Sequence, residues 1–143
     1  MTAGGRPVGP WPVRESLYPT LDLSAAVAPD QALGTLADVA RRHGYRITHP
    51  APGALRAVLG RRSWSLVAET VGLPPVRPFL HVELTATATA APDGAVLRVT
   101  CGRGGQELGV ATRVGRLLDQ VRTRLNAPGV PARASDWVSA PPP

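Results

Sequence analysis

The 143-residue sequence predicts an α+β fold, a two-layer sandwich in which a mainly antiparallel sheet carries both helices on one face. Three observations predict it. Leu80, Val82, Leu84, Ala86, Ala88 and Ala90 alternate with His81, Glu83, Thr85, Thr87 and Thr89, the period of two of a strand with one buried and one wet face. Leu33, Leu36, Ala37 and Ala40 repeat with helical spacing, as do Val110, Val114, Leu117, Leu118, Val121 and Leu125 further on. Strands with a wet face suit a sheet covered on one side better than a parallel sheet covered on both. The expected order is β-α-β-β-β-β-β-α.

Each element has its own signals. Leu17, Leu21, Leu23, Ala25 and Val27 mark a first half-buried strand, with Pro19 placing its start near Thr20 or putting it at an edge. Ala28-Pro29-Asp30 opens the first helix, since proline suits the first turn and an early aspartate complements the positive helix end. Gly44 closes it, after Arg41, Arg42 and His43 in the last turn. Tyr45 to His49 reads as a short strand cut off by Pro50. Ala54 to Leu59 and Arg62 to Ala68 flank Gly60-Arg61, which suits a tight hairpin turn, and Trp64 falls on the apolar side of the second arm. Val71 to Pro78, with three prolines, is a connector.

The main hairpin turns at Ala91-Pro92-Asp93-Gly94. Pairing Ala90 with Ala95 sets Ala88 against Leu97, Ala86 against Val99 and Leu84 against Cys101, a continuous apolar face. In the last helix Arg113, Arg116, Gln120 and Arg124 form a polar stripe beside the apolar one, and Pro128 and Gly129 end the helix. Residues 15–126 form one domain. The Pro/Gly-rich residues 1–14 and 127–143 are aperiodic and read as flexible tails.

Composition narrows the function classes. The net charge of +6 comes from 16 basic residues, all of them arginine, in a chain rich in Ala, Gly and Pro, the bias a GC-rich coding sequence produces. The arginines are dispersed rather than clustered, and aromatics are few and absent from the hairpin's wet face, which argues against nucleic acid. One cysteine excludes an internal disulfide or a Cys-based zinc cluster, and Cys101 falls on the apolar face as a small hydrophobe. No apolar run reads as a signal peptide or a membrane span, which places the chain in the cytoplasm by expectation.

The chemistry-bearing candidates are sparse. Cys101-Gly-Arg-Gly-Gly-Gln-Glu-Leu-Gly109 joins a strand to a helix, so an anion could meet Arg103 and the N–H groups around Gly105 to Leu108. The loop lacks the Gly-Lys-Ser/Thr of a phosphate loop, and Glu107 stands where a dinucleotide fingerprint needs glycine, so a connection is the better reading. His81-x-Glu83 has the His-x-Glu spacing of zinc deaminases but no Pro-Cys-x-x-Cys to go with it. Asp22, Asp38 and Asp119 fall on separate elements. No catalytic, cofactor or metal set emerges, and the chain does not read as an enzyme.

An opening strand, a helix begun by Ala-Pro-Asp, a run of antiparallel strands and a long final helix resemble, across residues 17–126 and in order alone, the helix-grip fold of START and polyketide-cyclase-like proteins. The resemblance implies a ligand space between the final helix and the sheet. The short helices usual after the first strand and most of the cavity-lining aromatics are missing, and no family motif is matched.

Two functional expectations follow. The first is a non-enzymatic protein-interaction (adaptor) module, its partner protein met by Arg103, Arg113, Arg116, Arg124 or Trp137. The second is a binder of a small apolar ligand or lipid, in a space lined by Ala86, Ala88, Val114 and Leu118; close approach of helix to sheet is the competing use of those small side chains. Trp137 and Trp11 stand out in aperiodic segments, each either a docking anchor or folded back on its own domain. An exposed edge at Leu17 to Val27 would offer a dimer contact.

Overall fold

A computed structural model describes residues 7–12, 18–60, 82–103, 108–126 and 129–139. The expected strand at Arg62–Ala68 with Trp64, the connector at Val71–Pro78, Leu17 and His81 lie outside them. In chain order the elements are β1 (Pro19–Ala25), α1 (Pro29–Arg42), β2 (Arg46–Thr48), β3 (Ala54–Leu59), β4 (Val82–Ala91), β5 (Gly94–Arg103), α2 (Leu108–Arg124), β6 (Arg133–Ala134) and β7 (Val138–Ser139). They build one antiparallel sheet in the order β2-β3-β4-β5-β1-β6, with β7 also on β1.

Alternation decides which face is buried. Leu21, Leu23, Ala25, Leu55, Ala57, Val82, Leu84, Ala86, Leu97, Val99 and Cys101 turn to one side and join α1 and α2 in a single core. The opposite face is wet and closed by cross-strand pairs between directly opposed residues. Thr20 and Thr100 share a hydrogen bond of 3.0 Å, and Arg98 donates to both carboxylate oxygens of Asp22 at 2.9 and 3.2 Å. That carboxylate holds the Arg98 guanidinium above its ordinary pKa, through the hydrogen bond first and its charge second.

β4 and β5 pair in the expected register, Ala90 with Ala95 through Leu84 with Cys101. Beyond Leu84 the register shifts and Glu83 pairs with Arg103, leaving Gly102 as an extra residue in a β-bulge. At the turn Gly94 has φ 147°, and a Cβ there would stand 2.0 Å from the Ala25 carbonyl oxygen. Only glycine lets the hairpin tip pass so close to the end of β1.

Both helices form as their spacing predicts. In α1, Leu33, Leu36, Ala37 and Ala40 are buried, and the end is a Schellman motif: Gly44 N–H donates to Arg41 O and Tyr45 N–H to Ala40 O, both at 3.0 Å. The five apolar stripe positions within α2 are fully buried, and Leu125 just past its end is 2% exposed. α2 stops at Arg124, short of Pro128, because Asn126 turns its side chain to accept from Ala132 N–H at 2.7 Å and starts the return of the chain.

Three expectations need correction. β3 is paired on both edges, to β2 through Arg46–Thr48 and to β4 through Val82–Thr87, so a tight hairpin at Gly60-Arg61 is not how it finds its neighbours. β1 is not an exposed edge. β5 lies on one side, and on the other Ser24 pairs Arg133, Leu23 pairs Ala134, Asp22 exchanges hydrogen bonds with Ser135 and Thr20 pairs Val138. The edge that would have offered a dimer contact is therefore covered by the chain's own C-terminal segment. The terminal segments are also packed where they are described: Trp11 is 1% exposed and Ala132 is fully buried. Their composition withholds periodicity, yet a few specific anchors hold them.

Candidate protein-interaction surface

The outer side of the helix layer carries most of the expected contact residues, in a changed state. Arg124 Nη1 donates to Asp38 Oδ2 at 2.6 Å across the α1–α2 seam, and Arg42 reaches the same oxygen at 3.4 Å. The hydrogen bond from Arg124, then the charge of Arg42, holds the exposed Asp38 carboxyl below its ordinary pKa. Gln120 meets His43 Nε2 at 2.9 Å along the same seam. Half of the arginine stripe thus ties the helices together. Arg116 stays exposed, and the half-buried Arg113 lends its charge to the neighbourhood of the Tyr45 phenol. Between the helices opens a cleft of about 280 Å³ lined by Val39, Arg42, Asp119, Gln120, Thr123 and Arg124.

On the flank of α2 lies a strap, residues 7–12, Pro-Val-Gly-Pro-Trp-Pro. Its prolines favour an extended chain that offers few main-chain donors. The donor at Val8 is met by Asp119 Oδ1 at 3.0 Å. The acceptor at Gly9 is met by Trp137 Nε1 at 2.8 Å. Trp11 is buried and meets the Trp137 ring edge-on, centroids 4.9 Å apart and planes at 69°. Where the strap crosses α2 the helix carries Gly115, and a Cβ there would come within 2.9 Å of the Gly9 carbonyl oxygen. Trp137 reaches the strap because it sits in the gap between β6 and β7.

Asp119 is itself positioned from below. Arg122 Nε and Nη2 both bind Asp119 Oδ1 at 3.0 Å, and the Arg122 side chain is 9% exposed. The third nitrogen, Nη1, is buried without a hydrogen-bond partner among the described residues. A buried guanidinium held this way fixes the carboxylate in place. The Tyr45 hydroxyl is the other buried orphan. Burial, then proximity to Cys101, pushes its pKa well above the ordinary phenol value while Arg113 opposes.

The other expected sites separate. Ala86, Val114 and Leu118 are in the packed core, at most 2% exposed, and Ala88 is half-buried. Three cavities lined by described residues include none of the four. Two of those cavities are open depressions, about 520 Å³ at Asp30, Leu33 and His49–Gly53, and about 410 Å³ between the hairpin tip and Gly129–Arg133. Arg103 contributes its backbone to the end of β5, and residues 104–107 of the glycine-rich loop lie outside the described residues. Glu83, placed beside His81 in the sequence, binds Arg56 of β3 at 2.9 Å. No group of three metal-ligating side chains occurs among the described residues, and no helix among them is long and apolar enough to cross a membrane.

The sequence names Trp11 and Trp137 but not their meeting, offers Asp119 only as one of three aspartates on separate elements, and gives no sign of the role of Gly115. The available signal was chemical rather than periodic: two tryptophans in aperiodic stretches, one between prolines. No protein-family model, curated protein or solved structure gives a significant match to the chain.

Proposed function

We propose that this protein is a non-enzymatic interaction module, an adaptor whose helix layer meets another protein. One observation carries the reading: α2 and Trp137 hold an extended Pro-Trp-Pro segment through an aromatic contact and side-chain hydrogen bonds to main-chain atoms, the means by which modules recognise extended peptides. The cationic surface beside it, with Arg116 exposed and Arg42 and Arg124 sharing one carboxylate, favours an acidic partner. The close packing of Ala86, Val114 and Leu118 counts against a ligand between helix and sheet.

Tagged protein recovered from its own host and weighed by native mass spectrometry tests the reading. The expected result is a stoichiometric protein partner that Arg116→Glu removes and Ala88→Leu does not. A small-mass adduct lost in Ala88→Leu, with no protein partner, would replace this reading with the ligand-binding one.

A further inference from the structure

The geometry points to a peptide groove on the flank of α2 that the strap fills in cis, and whose partner is an extended segment of another protein carrying Pro-Trp with acidic residues just before it. The inference deepens the interaction reading and rests on it. The recognition elements belong to the body of the domain: Asp119 accepts an N–H three residues before the tryptophan, Trp137 donates to a carbonyl two residues before it, and Gly115 clears the path. The site reads backbone, the buried Val8 side chain and one aromatic, and a Cβ on Gly9 would meet nothing within 4 Å, so that position between them accepts other residues.

Direction supplies the acidic requirement. Gly9 and Pro10 lie at Gly115 and Val8 at Asp119, so the strap runs antiparallel to α2, and a partner peptide bound the same way carries its preceding residues toward the C-terminal turns of the helix. Asp119 also lines the interhelical cleft that Arg42 and Arg124 border, where two guanidinium groups share the single carboxylate of Asp38. The strap itself, residues 7–12, carries no carboxylate to offer that cleft. The cis occupant therefore satisfies the aromatic half of the site and not the charged half. A partner that satisfies both has an advantage to set against the tether, which keeps the strap at an effective concentration of about millimolar.

The test uses the full-length chain, ¹⁵N-labelled, with the Val8 amide and Trp11 indole signals reporting the strap. Two peptides are titrated, Pro-Val-Gly-Pro-Trp-Pro preceded by three aspartates and the same sequence preceded by three glycines. Both are expected to drive the strap signals to random-coil positions at about millimolar concentration. The acidic peptide should need about threefold less at low salt, an advantage lost in Arg124→Ala and at high salt. Strap signals unmoved by either peptide up to ten times that range would overturn the groove, and equal potency of the two would overturn the acidic partner. Strap release that follows protein concentration without peptide would make the occupant a second copy and overturn the partner assignment. A host protein lost on Arg116→Glu while neither peptide displaces the strap would leave the interaction reading standing and this groove not.

Discussion

The β4–β5 hairpin and the strapped flank of α2 are held together by opposite means. In the hairpin, successive residue pairs follow one another in register from the turn at Ala91 and Gly94 outward, and alternation repeats the same statement at each step. On the flank, residues more than a hundred positions apart are joined by single bonds, Val8 to Asp119 and Gly9 to Trp137. The hairpin spreads its pairing over many positions. The strap is held by those hydrogen bonds together with the buried side chains of Val8 and Trp11. The difference separates a core that folds through redundancy from a segment that binds as a ligand does.

The largest effect belongs to the hairpin. Leu97 is fully buried between β1 and β4, and Leu97→Ala should cost about 2–5 kcal/mol in global unfolding by denaturant, with strap and hairpin melting together. A loss below 1 kcal/mol would mean that the hairpin is not the centre of the core.

Trp137→Phe keeps an aromatic edge for Trp11 and removes the donor to the exposed Gly9. It should weaken the strap by about 1 kcal/mol, seen as faster exchange of the Val8 amide with the hairpin amides unchanged. Equal acceleration of both sets would erase the contrast between the two regions.

Tyr45→Phe removes a buried hydroxyl that has no partner among the described residues, so stability at pH 7 should stay level or rise by about 1 kcal/mol. The folded-state pKa of Tyr45 is raised, so the native state holds its proton more tightly than the unfolded chain does. Its contribution is fully present below the ordinary phenol pKa of about 10 and declines as pH rises above that. The variant should accordingly unfold less readily at pH 11. A destabilised variant would mean the hydroxyl is bonded.

The smallest effect is at the helix seam. Asp38 has a depressed pKa, so its tie to Arg124 and Arg42 is present above the ordinary carboxylate range and lost as pH falls through the lowered folded value. Asp38→Asn should flatten that acid dependence and leave the alkaline limb alone, read by thermal melting between pH 2 and 6.

How much was legible follows the same division. Ala86 and Val99, or Leu117 and Val121, were readable because burial imposes a period on the chain, and a period survives in one dimension. The capped edge of β1 was not, because Arg133–Ala134 and Val138–Ser139 are strands of two residues each, too short to show alternation. Pro19 suggested an edge because a proline cannot donate to a ladder, and its partner Ser139 comes from a stretch whose composition reads as a tail. For the candidate site, Arg116 and Trp137 could be named from residue type alone. The roles of Asp119 and Gly115 could not, since what defines them is the backbone of a segment far away in the chain.

Native-state hydrogen exchange on the wild-type protein tests the central claim, that the strap is a ligand of a self-sufficient domain, most directly. The account predicts that the Val8 amide exchanges through a local opening insensitive to low denaturant, with a free energy well below that of Leu97 and Val99. If Val8 instead exchanges only with them, through global unfolding and with the same denaturant dependence, the strap is part of the core and the groove is no binding site.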